Sequence, residues 1–158
     1  MENYIRAVLY AYPYLETVGE DYAQHIKNKA LLSYDSRMDV ERLTEYLAEE
    51  ILHKECLEWL KTVMDETFAR LNELERKLLG MHFFGEKYDV ENLGEKYGFK
   101  SWSVRKQVRF KEETYKKVGK MLNAAGLTKK TFEEELHTIE MIGKIYNRLL
   151  RKQKEKIA

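Results

Sequence analysis

Proline, cysteine and glycine are scarce in this sequence, with one Pro, one Cys and eight Gly among 158 residues. So few turn formers argue against a sandwich or barrel of many short strands, and abundant Leu, Glu, Lys and Tyr favour helices. The lone Cys56 has no internal disulfide partner and suits a reducing, cytoplasmic compartment. No run approaches about 18 consecutive apolar residues, and the amino terminus lacks a basic-then-apolar leader. Neither a membrane span nor secretion is expected. The length allows one substantial core, or one core plus an appended helical unit.

The formal net charge of +1 conceals an asymmetry. Residues 1–70 hold 8 Lys/Arg against 14 Asp/Glu, whereas residues 71–158 hold 20 against 13. An acidic half and a basic half suggest different partners, and a polyanion is the natural partner of the second.

Apolar spacing organises the chain into helices. The segment NYIRAVLYAY reads as a short apolar helix stopped by Pro13, because the residue before proline is pushed out of helical geometry. A second helix is expected from Pro13, with Leu15, Val18, Tyr22 and Ile26 on one face. Residues 33–39 read as a connector in which Ser36 or Asp39 caps the next helix. That helix runs from Val40 to about Leu71, with a break near His53 as an alternative. Asn72 and Glu75 then have capping-box spacing, and Gly85 is placed to end the following helix. A short helix over 90–97 follows, capped by Asp89 and closed by Gly98. A longer one is expected from Trp102 to about Ala124, capped by Ser101, with Val104, Val108, Tyr115, Val118 and Leu122 as its apolar stripe. A final helix over about 129–151 carries Phe132, Leu136, Ile139, Ile142, Tyr146 and Leu149 on one face, and the tail RKQKEKIA is expected to fray.

The stretch LGEKYGFKSWSVRK concentrates the chemistry. A short polar helix ends at a glycine, a tight turn follows, and a basic helix begins at a serine. This is the sequence pattern of a helix-turn-helix, whose second helix enters the major groove of DNA. Gly98 permits the left-handed backbone of the turn. Phe99 is expected in a small core with Leu78, Leu93, Tyr97 and Val104. Ser101, Ser103, Arg105, Lys106 and Arg109 would approach the groove, where Arg can bind guanine bidentately. Trp102 belongs to the same DNA-binding end, with its ring expected to be partly buried. Lys96, Lys100, Lys111, Lys116 and Lys117 would meet phosphates.

The same stretch, within DVENLGEKYGFKSWSVRKQ, together with the earlier LNELERKLLGMHFFG, resembles region four of bacterial sigma factors, which reads the promoter −35 element. The resemblance spans about residues 71–122, and Leu93, Gly94, Tyr97, Gly98, Phe99, Val104 and Arg105 match that family's pattern. It implies a sigma-like helix-turn-helix. Ser101 and Trp102 depart from the family's base-reading positions, so the −35 specificity does not carry over. Residues before 70 do not resemble the sigma region that melts the −10 element. Over its length the chain is similar to small phage and mobile-element proteins with a sigma-like carboxy-terminal domain, including late-operon transcriptional activators.

Other chemistry is sparse. His53 and Cys56 are three apart on a helix, but no second pair stands at metal-finger spacing. His25, His82 and His137 read as structural or surface residues, and Glu49-Glu50 and Asp65-Glu66 as solvated faces. No P-loop, dinucleotide fingerprint or Ser/His/Asp set occurs, so neither an enzyme nor a cofactor is expected. The reading is therefore an all-α protein with a helical module over 1–70 for dimerisation or partner binding. A helix-turn-helix over 71–125 and a helix with a basic tail over 126–158 complete it. The expected function is non-enzymatic transcriptional regulation on double-stranded DNA, with RNA polymerase and a second copy of the chain as further partners. The alternatives are a helical adaptor docking on RNA polymerase or a phage component, and a small-terminase-like packaging protein.

Overall fold

A computed structural model describes residues 1–35, 39–86, 98 and 101–157. The protein is all-α, and no strand occurs among the described residues. Helix α1 spans Asn3–Ala11 and passes through a 3-10 turn, Tyr12–Tyr14, into α2, Leu15–Asp35. Helix α3 covers Val40–Ala69, α4 Glu73–Phe83 and α5 Val104–Ala124. One helical turn, Lys129–Thr131, leads into a π-turn, Phe132–Leu136, and then α6, Glu140–Ile157. No described helix is long and apolar enough to cross a membrane.

The organising element is α1, because its sequence is apolar on nearly every side. Tyr4, Ile5, Ala7, Val8, Leu9 and Ala11 are all buried, and only a narrow strip through Asn3, Arg6 and Tyr10 is half-buried. Ile5, Val8 and Leu9, each almost completely withdrawn from water, contribute roughly 1.5–3 kcal/mol apiece. Around this helix a single hydrophobic cluster draws Leu57, Leu60, Met64 and Phe68 from α3 and Leu79 and Phe83 from α4. Val118 and Leu122 of α5 join it, with Phe132, Leu136, Ile139, Ile142 and Leu149 from the carboxy-terminal segment. The amino-terminal helix and the last one are therefore parts of one core. Tyr4 donates to Asn123 Oδ1 at 3.1 Å, tying α1 to α5, and Asn3 donates to Gln153 Oε1 at 2.6 Å, tying it to α6.

Local signals account for most boundaries. Asp39 accepts from Arg42 N at 2.8 Å and starts α3, which runs through His53 without a break. Asn72 and Glu75 form the expected capping box at the start of α4. Gly85 and Gly126 take positive φ, +65° and +105°, beyond the ends of α4 and α5. Four expectations need correction. Tyr12, before Pro13, keeps helical angles, φ −48° and ψ −46°, so Pro13 tightens the chain into a 3-10 turn and does not push Tyr12 out of helical geometry. Helix α2 continues to Asp35, so the connector is shorter than 33–39. The last segment is not one continuous helix: His137 N donates to Phe132 O at 2.8 Å, an i to i+5 bond that inserts a π-turn before α6. The basic tail stays helical to Ile157 instead of fraying.

Candidate nucleic-acid interface

The short helix expected over 90–97, its cap Asp89, and Phe99 lie outside the described residues. So do Leu93, Gly94, Tyr97, Lys96 and Lys100. What is described of the turn fits the glycine argument. Gly98 has φ +65°, and its carbonyl accepts from both Ser101 N, at 2.9 Å, and Ser101 Oγ, at 2.5 Å. That bond engages the Ser101 hydroxyl, so Ser101 does not cap the following helix as expected. Ser103 does, accepting from Lys106 N at 3.2 Å, and α5 starts at Val104.

Helix α5 divides into two halves. Its buried residues are Thr114, Val118 and Leu122, and none precedes Thr114. The first three turns instead expose Arg105, Lys106, Arg109 and Lys111, and no Asp or Glu occurs between Ser101 and Lys111. Val104, expected in a small core, is 78% exposed, and Val108 is exposed beside it. Val104 lies almost in line with buried Leu122, about five turns along the helix, so its exposure reflects where α5 runs past its packing partners and not a turn away from the buried face.

The other predicted residues are placed as follows. Trp102 is half-buried, edge-on to Phe110 with centroids 5.6 Å apart, and Lys106 Nζ sits 4.2 Å from its ring centroid. Arg109 Nε pairs with Glu113 at 3.0 Å. Lys116 is exposed. Lys117 Nζ lies 2.9 Å from Oε1 of Glu75 on α4. Ser101, Ser103, Arg105, Lys106, Arg109 and Lys111 thus occupy one end of one helix and the turn before it. Lys117 stands two turns further on, where α5 enters the core.

Elsewhere, His53 bridges Tyr22 OH at 3.3 Å and Thr138 Oγ1 at 3.2 Å. Burial, then the charges of Glu135 and Glu55, push the Cys56 thiol above its ordinary pKa. No group of three or more metal-ligating side chains occurs among the described residues. His82 stacks on Phe83 and bonds Tyr115 OH through Nδ1. Burial, then the charges of Arg6 and Lys111, lower its pKa. The sequence reading passed over Arg6, Arg148 and Lys152, which line one cavity. Arg148 and Lys152, four apart on α6, were the only local sign of it.

No family model matches the chain, and no curated protein or solved structure matches it.

Proposed function

We propose that the protein binds double-stranded DNA through the amino-terminal half of α5 and regulates transcription without catalysis. The observation that carries this reading is the exposed basic end of α5, with four exposed cations, no carboxylate through Lys111 and no buried side chain before Thr114. A helix end needed for packing would bury apolar side chains there. This one offers Arg105, Lys106 and Arg109 for bases or phosphates and Lys111 and Lys116 for phosphates. Exposed Val104 and Val108 add apolar surface of the kind that meets thymine methyl groups. The sequence resemblance to sigma region four supports the same use of this helix. Arg105→Ala combined with Lys106→Ala should weaken duplex binding by more than about tenfold, each charge-assisted contact being worth roughly 1–3 kcal/mol. Unchanged affinity in an anisotropy titration would remove α5 from the interface.

A second reading, a helical adaptor for RNA polymerase, is favoured by the α2–α3 hairpin. Its end exposes Leu31, Leu32, Tyr34 and Val40, and such apolar surface often marks protein contacts. Purified RNA polymerase retained by the chain, and released by Leu32→Glu with Tyr34→Glu, would support it. A concentration-dependent dimer in sedimentation would assign the same surface to a second copy.

A further inference from the structure

A cavity of about 510 Å³ opens between α1, the 3-10 turn, the end of α4 and α6. Its charge is one-sided. Arg6 of α1 and Arg148 and Lys152 of α6 line it, and no carboxylate does among the described residues. None of these three cations has an ion pair among the described residues. Four other cavities each include at least one carboxylate: Asp21 and Glu140, Glu2 and Glu112, Glu2, or Glu66.

The remaining walls mix aromatic rings with the aliphatic side chains of Pro13, Ile145 and Leu149. Tyr10, Tyr14 and His82 contribute rings, and Tyr10 meets Phe83 edge-on at 4.8 Å. Burial and the neighbouring Arg6 charge favour the neutral imidazole of His82. Three like charges around one opening repel each other, an arrangement that a bound anion relieves. Cations beside planar rings suit a ligand with phosphates at one end and a flat heterocycle at the other. The volume falls within the usual range for small-molecule sites, roughly 300–1,000 Å³.

We propose that this cavity binds a nucleoside diphosphate. Its phosphates would lie against Arg6, Arg148 and Lys152, and its base against Tyr10, Tyr14 and His82. Two linked phosphates carry roughly three negative charges near neutral pH, which matches the three cations. The proposal does not depend on DNA binding by α5.

Calorimetric titration of the full chain with each of the four common ribonucleoside diphosphates tests it, with adenosine, inorganic pyrophosphate and a duplex oligonucleotide as competitors. At least one nucleotide should bind one-to-one, pyrophosphate should compete, and adenosine should compete far less well. Arg148→Ala with Lys152→Ala should weaken binding by about tenfold or more. Both side chains are exposed, so an unchanged circular dichroism melt should accompany the loss. Arg105→Ala with Lys106→Ala should leave nucleotide binding intact, which separates this site from the DNA reading. Absence of binding by all four nucleotides would overturn the proposal. So would binding that persists in a folded Arg148→Glu, Lys152→Glu variant, or binding only of the duplex.

Discussion

Lys117 Nζ lies 2.9 Å from Oε1 of Glu75, and that same oxygen accepts from Asn72 N at 3.1 Å. One carboxylate thus closes the capping box of α4 and anchors α5 to it. Glu75 is only 5% exposed, so its charge has exchanged water for these two donors. Removing one donor leaves a buried carboxylate short of partners, which costs more than an exposed pair is worth. Lys117→Ala should therefore destabilise the fold by about 1–2 kcal/mol in urea denaturation. Its effect on duplex affinity should be small once stability is matched. A loss of duplex affinity as large as that of the Arg105/Lys106 variant would instead place Lys117 on the nucleic acid.

Arg109 and Glu113 form an i,i+4 pair with both side chains largely exposed. Such pairs contribute little to stability, but Glu113 sets a negative charge beside the proposed DNA face. Glu113→Gln should raise duplex affinity about two- to threefold at low salt, the gain fading as salt screens it. Arg109→Ala should weaken binding and lower the slope of log affinity against log salt by about one. Equal affinities for wild type and both variants across a salt series would take this face out of the interface.

The helices were legible where one local rule decides them. Asp39 and Asn72 cap because their side chains reach the backbone three residues on, and Gly98 turns because it tolerates φ +65°. The serine cap was misread because Ser101 and Ser103 stand equally well before an apolar periodicity. Only the turn geometry, which commits the Ser101 hydroxyl to Gly98 O, chooses between them. The π-turn was invisible because Phe132, Leu136 and Ile139 have spacings that an uninterrupted α-helix would also bury. Val104 looked like core because spacing tells which residues share a stripe and not where along the helix its partner ends. The pairing of Glu75 with Lys117, and the meeting of Arg6 with Arg148 and Lys152, join residues far apart in the chain that no periodicity links.

Gly143 and Gly19 should respond oppositely to alanine. A Cβ on Gly143 would stand 2.7 Å from the backbone oxygen of His137, where the π-turn leads into α6. Backbone cannot swing aside as a side chain can, so Gly143→Ala should cost about 1–3 kcal/mol. A Cβ on Gly19, within α2, would meet nothing within 4 Å. Gly19→Ala should stabilise by about 0.5–1 kcal/mol through the unfolded chain's lost freedom. Thermal melts of both variants check the pair, and a neutral Gly143→Ala would mean that the π-turn relaxes freely.

Tyr12 donates its hydroxyl to Asp65, and the bond has a signature in alkali. Burial, then the hydrogen bond to Asp65 and its charge, push the phenol above its ordinary value. Burial also acts to raise the Asp65 carboxyl, but hydrogen bonds from Lys61 and Tyr12 bring it below the usual range. A raised phenol means that the unfolded chain loses this proton first. The Tyr12 contribution is therefore complete below the ordinary tyrosine value of about 10 and erodes as pH rises above it. For Asp65 the sign reverses: its contribution is present above the ordinary carboxyl value of about 3.9 and is lost as pH falls through the lowered folded value. Tyr12→Phe should lower stability near neutrality by about 1 kcal/mol, and its deficit should narrow above about pH 10. Tyr22 and Tyr115, also raised, chiefly by burial, would keep part of the alkaline slope. Denaturant unfolding at neutral and alkaline pH reads this directly, and a deficit that stays constant or widens in alkali would mean that Tyr12 does not hold its proton in the fold.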